Sequence, residues 1–177
     1  YFFKKGINSI SIVLLNSYKF SKHEVIIKKI AKKIGFENIS CSCEVCPTIN
    51  FTSRGYTTLV DAYLNPLIKN YMENIAVRLK SKNILYMQSN GFLTNKKNFN
   101  GINSILSGPA GGVNGGINIA KKNKVKNIIG FDMGGTSADI WHYNGELQKN
   151  LETKISEILI KTPSLKIDSI ASGGGSI

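Results

Sequence analysis

Arginine is nearly missing from this chain of 177 residues, although lysine is abundant. Only Arg54 and Arg78 occur among 23 basic residues, which face 11 acidic ones and give a formal charge of +12. Proteins that read nucleic acids rely on arginine for bidentate contacts with bases and phosphates. The lysines are scattered, as on a solvated surface. We therefore expect no specific nucleic-acid partner, only non-specific attraction of acidic molecules at low salt.

Long apolar runs are missing as well. No stretch approaches the roughly 18 consecutive apolar residues of a membrane-spanning helix, so we expect no membrane partner. Hydrophobic residues make up 42% and aromatic residues 9% of the chain, which excludes collagen-like and strongly disordered classes. The chain starts without Met and stops after a glycine cluster, so we expect an internal piece of a longer protein.

Cysteine is scarce and clustered at Cys41, Cys43 and Cys46. An odd, clustered set does not form a disulfide framework. Three thiols could begin a zinc site, but no fourth ligand lies nearby in the sequence. On a strand, Cys41 and Cys43 would share one face and pack as small apolar side chains. The pattern favours buried thiols over a metal and indicates a reducing, cytoplasmic compartment.

Short β-branched runs alternate with helical patterns along the chain. Strands are predicted over 9–15, 38–45, 84–88, 125–131, 137–143, 155–160 and 165–170. A capping box at 21–24 opens a helix that ends at Gly35. The longest helical pattern covers 52–80, where Pro66 predicts a kink or two helices that meet near Asn65.

Polar and glycine-rich segments mark the connections. Residues 94–103 are predicted to form a loop, and Asn144-Gly145 indicates a type I′ hairpin. Ser107 is an N-cap candidate for a further helix. That helix contains four glycines between 111 and 116, which are poor helix formers. We expect it to press closely against another backbone or a ligand.

The segment 128–140 carries the pattern richest in chemistry. Asp132 ends a buried strand, Gly134 and Gly135 form a turn almost free of side chains, and Thr136 and Asp139 follow. Such a turn can bring backbone N–H groups and a hydroxyl close to phosphate oxygens. Asp132 or Asp139 can hold a hydrated Mg²⁺ or orient the attacking group. The alternative is a strand–turn–strand with an incidental glycine pair, whereas P-loop and Rossmann patterns are not matched.

Five segments in this order resemble the A-type subunit of the hydantoinase/oxoprolinase family. They are Arg-Gly-Tyr-Thr-Thr-Leu-Val-Asp-Ala-Tyr-Leu-Asn-Pro at 54–66, Leu-Tyr-Met-Gln-Ser-Asn-Gly at 85–91, Ser-Gly-Pro-Ala-Gly-Gly-Val at 107–113, 130–139, and Gly-Gly-Gly-Ser at 173–176. The resemblance implies part of an α/β ATPase fold of the actin/Hsp70 (ribonuclease H-like) type, with mixed sheets flanked by helices. It also implies one domain portion at 1–106 and a second at 107–177.

The resemblance further implies ATP and Mg²⁺ as cofactors, a cyclic amide substrate and a B-type partner subunit or domain. The enzyme would hydrolyse a C–N bond after phosphoryl activation of the carbonyl. Catalytic roles would fall to Asp132 and Asp139, with Asp132 also at the metal. The nucleotide would contact a set of turn residues: Gly134, Gly135, Thr136, Gly173, Gly174 and Gly175.

Several positions depart from the family pattern. Phe92 stands where a second glycine is usual, Cys43 where histidine is usual, and Ser172 where alanine is usual. The family's first phosphate hairpin would precede this segment, so we expect the piece alone not to turn over ATP. Two alternatives stay open: a subunit of an ATP-dependent ketone carboxylase, and a non-catalytic remnant or scaffold.

Overall fold

A computed structural model describes residues 1–81, 83–155 and 157–175. In this part the chain is α/β, with parallel and antiparallel strand pairs flanked by helices. After a 3-10 turn at Phe3–Lys5, the helices are α1 (Lys22–Ile34), α2 (Ser42–Val45), α3 (Phe51–Leu79), α4 (Gly101–Ser104) and α5 (Ser107–Lys122). The strands are β1 (Ser9–Ile12), β2 (Asn38–Cys41), β3 (Leu85–Met87), β4 (Leu93–Asn95), β5 (Ile128–Met133), β6 (Ala138–Tyr143), β7 (Lys149–Asn150), β8 (Thr153–Ile155), β9 (Ile158–Ile160), β10 (Ser164–Leu165) and β11 (Asp168–Ile170).

The first unit is a parallel pair of β1 and β2 joined by α1. The predicted strand over 38–45 is correct only in its first half, because α2 begins at Ser42. The cause is the buried carboxylate of Glu24, which accepts hydrogen bonds from the Ser42 hydroxyl (2.6 Å) and the Cys43 N–H (2.8 Å). A carboxylate at this position stabilises the unpaired N–H groups of a helical first turn.

The same contacts show that the predicted capping box at 21–24 is wrong. Ser21 makes no side-chain capping bond, although α1 does start beside it and does end at Gly35, whose φ is +117°. Glu24 also accepts a hydrogen bond from the backbone N–H of Leu14 (2.8 Å). Its carboxylate is committed to tertiary partners and does not return to its own helix end.

Helix α3 runs unbroken through Pro66, so the prediction of two separate helices is wrong. Proline has no N–H to donate to the carbonyl four residues earlier, which here is Ala62. The Ser9 hydroxyl on β1 donates to that carbonyl instead. The tertiary bond replaces the missing helical one and fixes α3 against the parallel pair.

Asp61 on α3 joins three elements. Its carboxylate accepts hydrogen bonds from the Ser40 hydroxyl (2.7 Å), the Asn65 amide (2.8 Å) and the Ile102 N–H (3.1 Å). Ile102 lies in α4, within the segment 94–103 that was predicted to be a loop. The loop prediction is therefore wrong at both ends, where β4 and α4 form.

The second half of the chain is built on an antiparallel sheet of order β11-β6-β5. Trp141 on β6 is buried with residues of α5 in one apolar cluster, whose other buried members are Ala110, Val113, Ile117, Tyr143 and Leu165. A Cβ on Gly116 would lie 2.5 Å from the Trp141 ring. Gly116 therefore makes room for the indole ring of Trp141, a side chain and not the backbone or ligand expected for these glycines. Whether another glycine of α5 faces a ligand stays a prediction.

The turn at Asn144-Gly145 does not form the predicted hairpin. Gly145 has the expected positive φ of +102°. The next strand, β7, pairs with β10 and not with β6. The positive φ of Gly145 agrees with the predicted turn. The strand that follows the turn pairs with β10, which lies further along the chain.

Candidate phosphate-binding site

The turn between β5 and β6 carries both predicted acids on paired strands. Asp132 and Asp139 are register partners, one step before the last pair of the hairpin. The N–H of Gly134 donates to the carbonyl of Ser137 (2.8 Å) and closes the turn. The predicted strand–turn–strand is present, and it places the two carboxyl-bearing residues side by side. The expectation of a buried first strand is wrong, because β5 is mostly exposed and continues to Met133.

The second glycine segment packs directly on this turn. The N–H groups of Gly174 and Gly175 donate to the carbonyls of Gly134 (2.9 Å) and Gly135 (2.8 Å). A Cβ on Gly173 would lie 2.4 Å from the Thr136 nitrogen. Two glycine segments about 40 positions apart therefore form one surface, and their close approach leaves no room for a side chain at Gly173.

This surface presents hydrogen-bond donors that the described residues do not use. Within 1–81, 83–155 and 157–175, the backbone N–H of Gly135 and the N–H and hydroxyl of Thr136 donate to no acceptor. Both residues are exposed. Successive N–H groups in a turn can form a concave surface that attracts anions.

The two acids also line a cavity of about 230 Å³ beside the sheet. Its other lining residues come from α5 and from the two strands: Pro109, Gly112, Gly130, Phe131 and Trp141. A Cβ on Gly112 would lie 3.7 Å from the Asp132 carboxylate, so the first turns of α5 approach that acid closely. The glycine surface does not line this cavity; the acids and the glycines meet only through the hairpin.

Ser169 is a site residue that the sequence did not predict. Its hydroxyl donates to Asp139 (2.5 Å), and the two residues are register partners between β11 and β6. The segment 165–170 was predicted as one strand run, but it forms the short strands β10 and β11. The pattern gave no signal for which strand β11 would pair with.

Arg54 and Asp61 both lie on α3, but they bind different partners. Arg54 is fully buried, and its guanidinium donates to backbone carbonyls of the segments before α3: Leu14, Leu15, Thr48 and Ile49. Asp61 bonds elsewhere, as described above, so these two do not pair. The Arg54 side chain therefore fixes the start of α3 to the two preceding segments of the chain.

The cysteines are free thiols in the described structure. Cys41 and Cys46 are buried and Cys43 is partly buried, as expected of packed thiols. Cys41 and Cys43 do not share a strand face, because Cys43 lies on α2. Burial, with a contribution from Glu44, raises the pKa of Cys41 to about 11. Burial and the neighbouring Glu24 raise the pKa of Cys43 to about 12. Within the described residues, no group of three or more His, Cys, Asp or Glu side chains could hold a metal ion.

None of the helices in the described part of the chain combines the length and the hydropathy needed to cross a membrane.

Several known proteins are similar to nearly the whole of this chain. It is 46% identical to the 5-oxoprolinase of Dictyostelium discoideum, over 99% of this chain and 15% of that protein. It resembles the crystal structure of an ATP-dependent caprolactamase from Pseudomonas jessenii with a TM-score of 0.85 at 27% identity, over 99% of this chain and 27% of that one. A nucleotide-free acetone carboxylase shares the fold, with a TM-score of 0.76 at 24% identity, over 97% of this chain and 26% of that one.

The chain thus spans a minor part of the length of its relatives. The family model for hydantoinase/oxoprolinase matches residues 54–177, which include most of α3, α5, the β5–β6 hairpin and the glycine turn. The chain belongs to the hydantoinase/oxoprolinase family.

Proposed function

We propose that this chain forms part of an ATP-dependent hydrolase that opens cyclic amides, and that it binds the nucleotide phosphates. The observation that carries the proposal is the pair of hydrogen bonds from Gly174 and Gly175 to Gly134 and Gly135. They build one glycine surface with unused N–H donors, on the same hairpin that carries the two acids. The relatives named 5-oxoprolinase and caprolactamase support a cyclic amide as the substrate.

The donor set fits both a phosphate chain and a Mg²⁺ ion. The N–H groups of Gly135 and Thr136 and the Thr136 hydroxyl would bind phosphate oxygens. Mg²⁺ is commonly held by one or two carboxylates together with water and phosphate oxygens, and we assign Asp132 to it. Bound Mg²⁺ would neutralise charge on the phosphates during transfer.

The need for ATP follows from the substrate. An amide carbonyl is a poor electrophile, and transfer of a phosphoryl group to its oxygen turns that oxygen into a leaving group. The N–H groups of the glycine surface would hold the phosphates in position for transfer, and the glycines would leave space for the nucleotide to reach that surface. Asp139, held by the Ser169 hydroxyl, would orient the attacking group.

We further propose that the fold is of the actin/Hsp70 (ribonuclease H-like) type, with domain portions at 1–106 and 107–177. Contacts cross the boundary between them, including a hydrogen bond from the Lys161 N–H to the Thr57 hydroxyl (2.9 Å). We also propose a B-type partner subunit or domain and a cytoplasmic location. The exposed apolar face of β5, formed by Ile129, Phe131 and Met133, supports a partner surface.

Titration of the protein with Mg²⁺-ATP by calorimetry tests the proposal. The variant Asp132→Ala should lose the Mg²⁺-dependent part of the affinity, by about tenfold or more, because a charge-assisted contact is removed. Asp168→Ala is the matched control, since Asp168 is exposed on β11 and does not line the cavity. Equal affinities for Asp132→Ala and the unchanged protein, or equal losses in both variants, would contradict the assignment.

A further inference from the structure

A second cavity, of about 910 Å³, lies between α1, the start of β2, α3 and the segment 96–100. It shares no lining residue with the cavity at Asp132 and Asp139. Lysine accounts for five of its 15 lining residues, against 21 of the 177 residues in the chain. Lysine is therefore more frequent in this lining than in the chain as a whole.

Two of the five lysines are neutralised by carboxylates. Lys28 forms an ion pair with Glu44 (2.5 Å), and Lys96 forms one with Glu73 (3.7 Å). These pairs place no net charge in the cavity. The charge of the cavity is therefore decided by the remaining three lysines.

The other three lysines have no ion pair among the described residues. Lys69 is nevertheless held in place, because its ammonium donates to the Asn38 side-chain oxygen (2.5 Å) and to the Glu37 carbonyl (3.4 Å). Both acceptors are neutral, so its charge stays uncompensated. Lys32 on α1 and Lys97 after β4 complete the set, and the Glu37 carboxylate is the one unpaired acid in the lining. The excess is two positive charges.

The floor of the same cavity is apolar and well packed. Phe36, Ile39 and Ile68 contribute to it, together with Met72 and Phe99. Met72 and Phe99 belong to a buried cluster with Tyr86, whose ring stacks on that of Phe99 at 5.2 Å between centroids. A floor anchored in the core holds its shape, whereas a solvated lysine surface offers no such support.

We propose that this cavity binds a small organic dianion, with two carboxylate or phosphate groups carried on an apolar body. Lys69 is the anchoring cation, and Lys32 and Lys97 flank it. An apolar floor with a few fixed polar groups is the usual form of a small-molecule site. The two excess positive charges of the cavity lining match the two negative charges of a dianion. The apolar floor favours a ligand with an apolar body over a bare inorganic ion.

Terephthalate is a suitable probe, because it carries two carboxylates on an aromatic ring. Terephthalamide keeps the shape without the charge, and inorganic sulfate keeps the double negative charge without the ring. We expect calorimetry at low salt to show one terephthalate site, about tenfold weaker binding of the diamide and of sulfate, and weakening as salt rises. Binding of the diamide or of sulfate as tight as that of terephthalate would overturn the proposal.

Lysine variants locate the site. Lys69→Gln should weaken terephthalate binding by about five- to tenfold and the loop variant Lys97→Gln by about threefold, in line with partly exposed charge pairs. Lys33→Gln on the exposed side of α1 and Lys122→Gln at the end of α5 are controls that remove the same charge outside the cavity. Equal losses in the controls would show non-specific attraction by the charge of +12 and refute the site.

Discussion

Replacement of Glu24 by Gln should destabilise the N-terminal half of the protein. The fully buried carboxylate accepts hydrogen bonds from Leu14 N–H (2.8 Å), Ser42 hydroxyl (2.6 Å) and Cys43 N–H (2.8 Å). Glutamine has one acceptor oxygen, so its NH₂ must face a donor and leave it unsatisfied. With the lost charge assistance on the other bonds, we expect a loss of about 2 to 3 kcal/mol in the free energy of unfolding.

The contribution of Glu24 to the free energy of unfolding should depend on pH, and the direction of its pKa shift gives the sign. Burial alone raises the pKa of Glu24, but the hydrogen bonds from the Ser42 hydroxyl and from the N–H groups of Cys43 and Leu14 outweigh it and lower the pKa. A lowered pKa in the folded state means that the ionised group stabilises the fold above its unfolded pKa of about 4.3. That stability is lost as the pH falls from there through the folded pKa. The variant lacks the group and should not show this loss.

Urea unfolding followed by circular dichroism measures both effects. The difference between the unchanged protein and Glu24→Gln should be full at neutral pH and should shrink on acidification below about pH 4. Glu44→Gln is the control, because Glu44 is half-exposed in its pair with Lys28 and should cost below about 1 kcal/mol. A Glu24→Gln effect no larger than the control, or one unchanged at low pH, would refute the reasoning.

Two further predictions concern the core and the thiols. Gly130→Ala should lower the free energy of unfolding by about 3 kcal/mol, because a Cβ there would lie 2.0 Å from the buried Trp141 ring. Gly115→Ala, with no heavy atom within 4 Å of the added Cβ, should instead stabilise α5 by up to about 1 kcal/mol in the same urea assay; similar losses in both would contradict the packing. Cys41 and Cys43, with pKa values raised to about 11 and about 12, should react with a disulfide reagent at pH 8 on the order of a hundredfold slower than in urea. Equal rates in the folded and unfolded protein would show that these thiols are accessible.

The sequence predicted the hairpin because its signals are local. An acid at a strand end, two glycines and a second strand define Asp132 to Asp139 without help from the rest of the chain. The structure adds that the glycines at 173–175 lie against that turn. Only the family resemblance implied that the glycines at 173–175 and the hairpin contact the same nucleotide, because nothing in the sequence of those glycines specifies a partner.

The wrong predictions of the capping box and of the helix break have a common physical cause, which is hydrogen bonding to residues that are distant in the sequence. Glu24 satisfies the local rule for a capping box, yet it bonds to Leu14, Ser42 and Cys43 because a buried carboxylate with three donors is better satisfied there. Pro66 satisfies the rule for a helix break, yet the Ser9 hydroxyl supplies the missing donor. Such partners are distant in sequence and leave no periodic signal.

The most direct test of the phosphate-binding surface is a titration of ¹⁵N-labelled protein with Mg²⁺ and a non-hydrolysable ATP analogue, followed by the backbone amide resonances. The N–H groups of Gly135 and Thr136 donate to no described acceptor, and that of Gly174 lies beside them. We predict that these three amides shift first and furthest, with a single saturation curve. If they stay in place while amides elsewhere move, or if no amide moves at saturating nucleotide, this turn does not hold the phosphates.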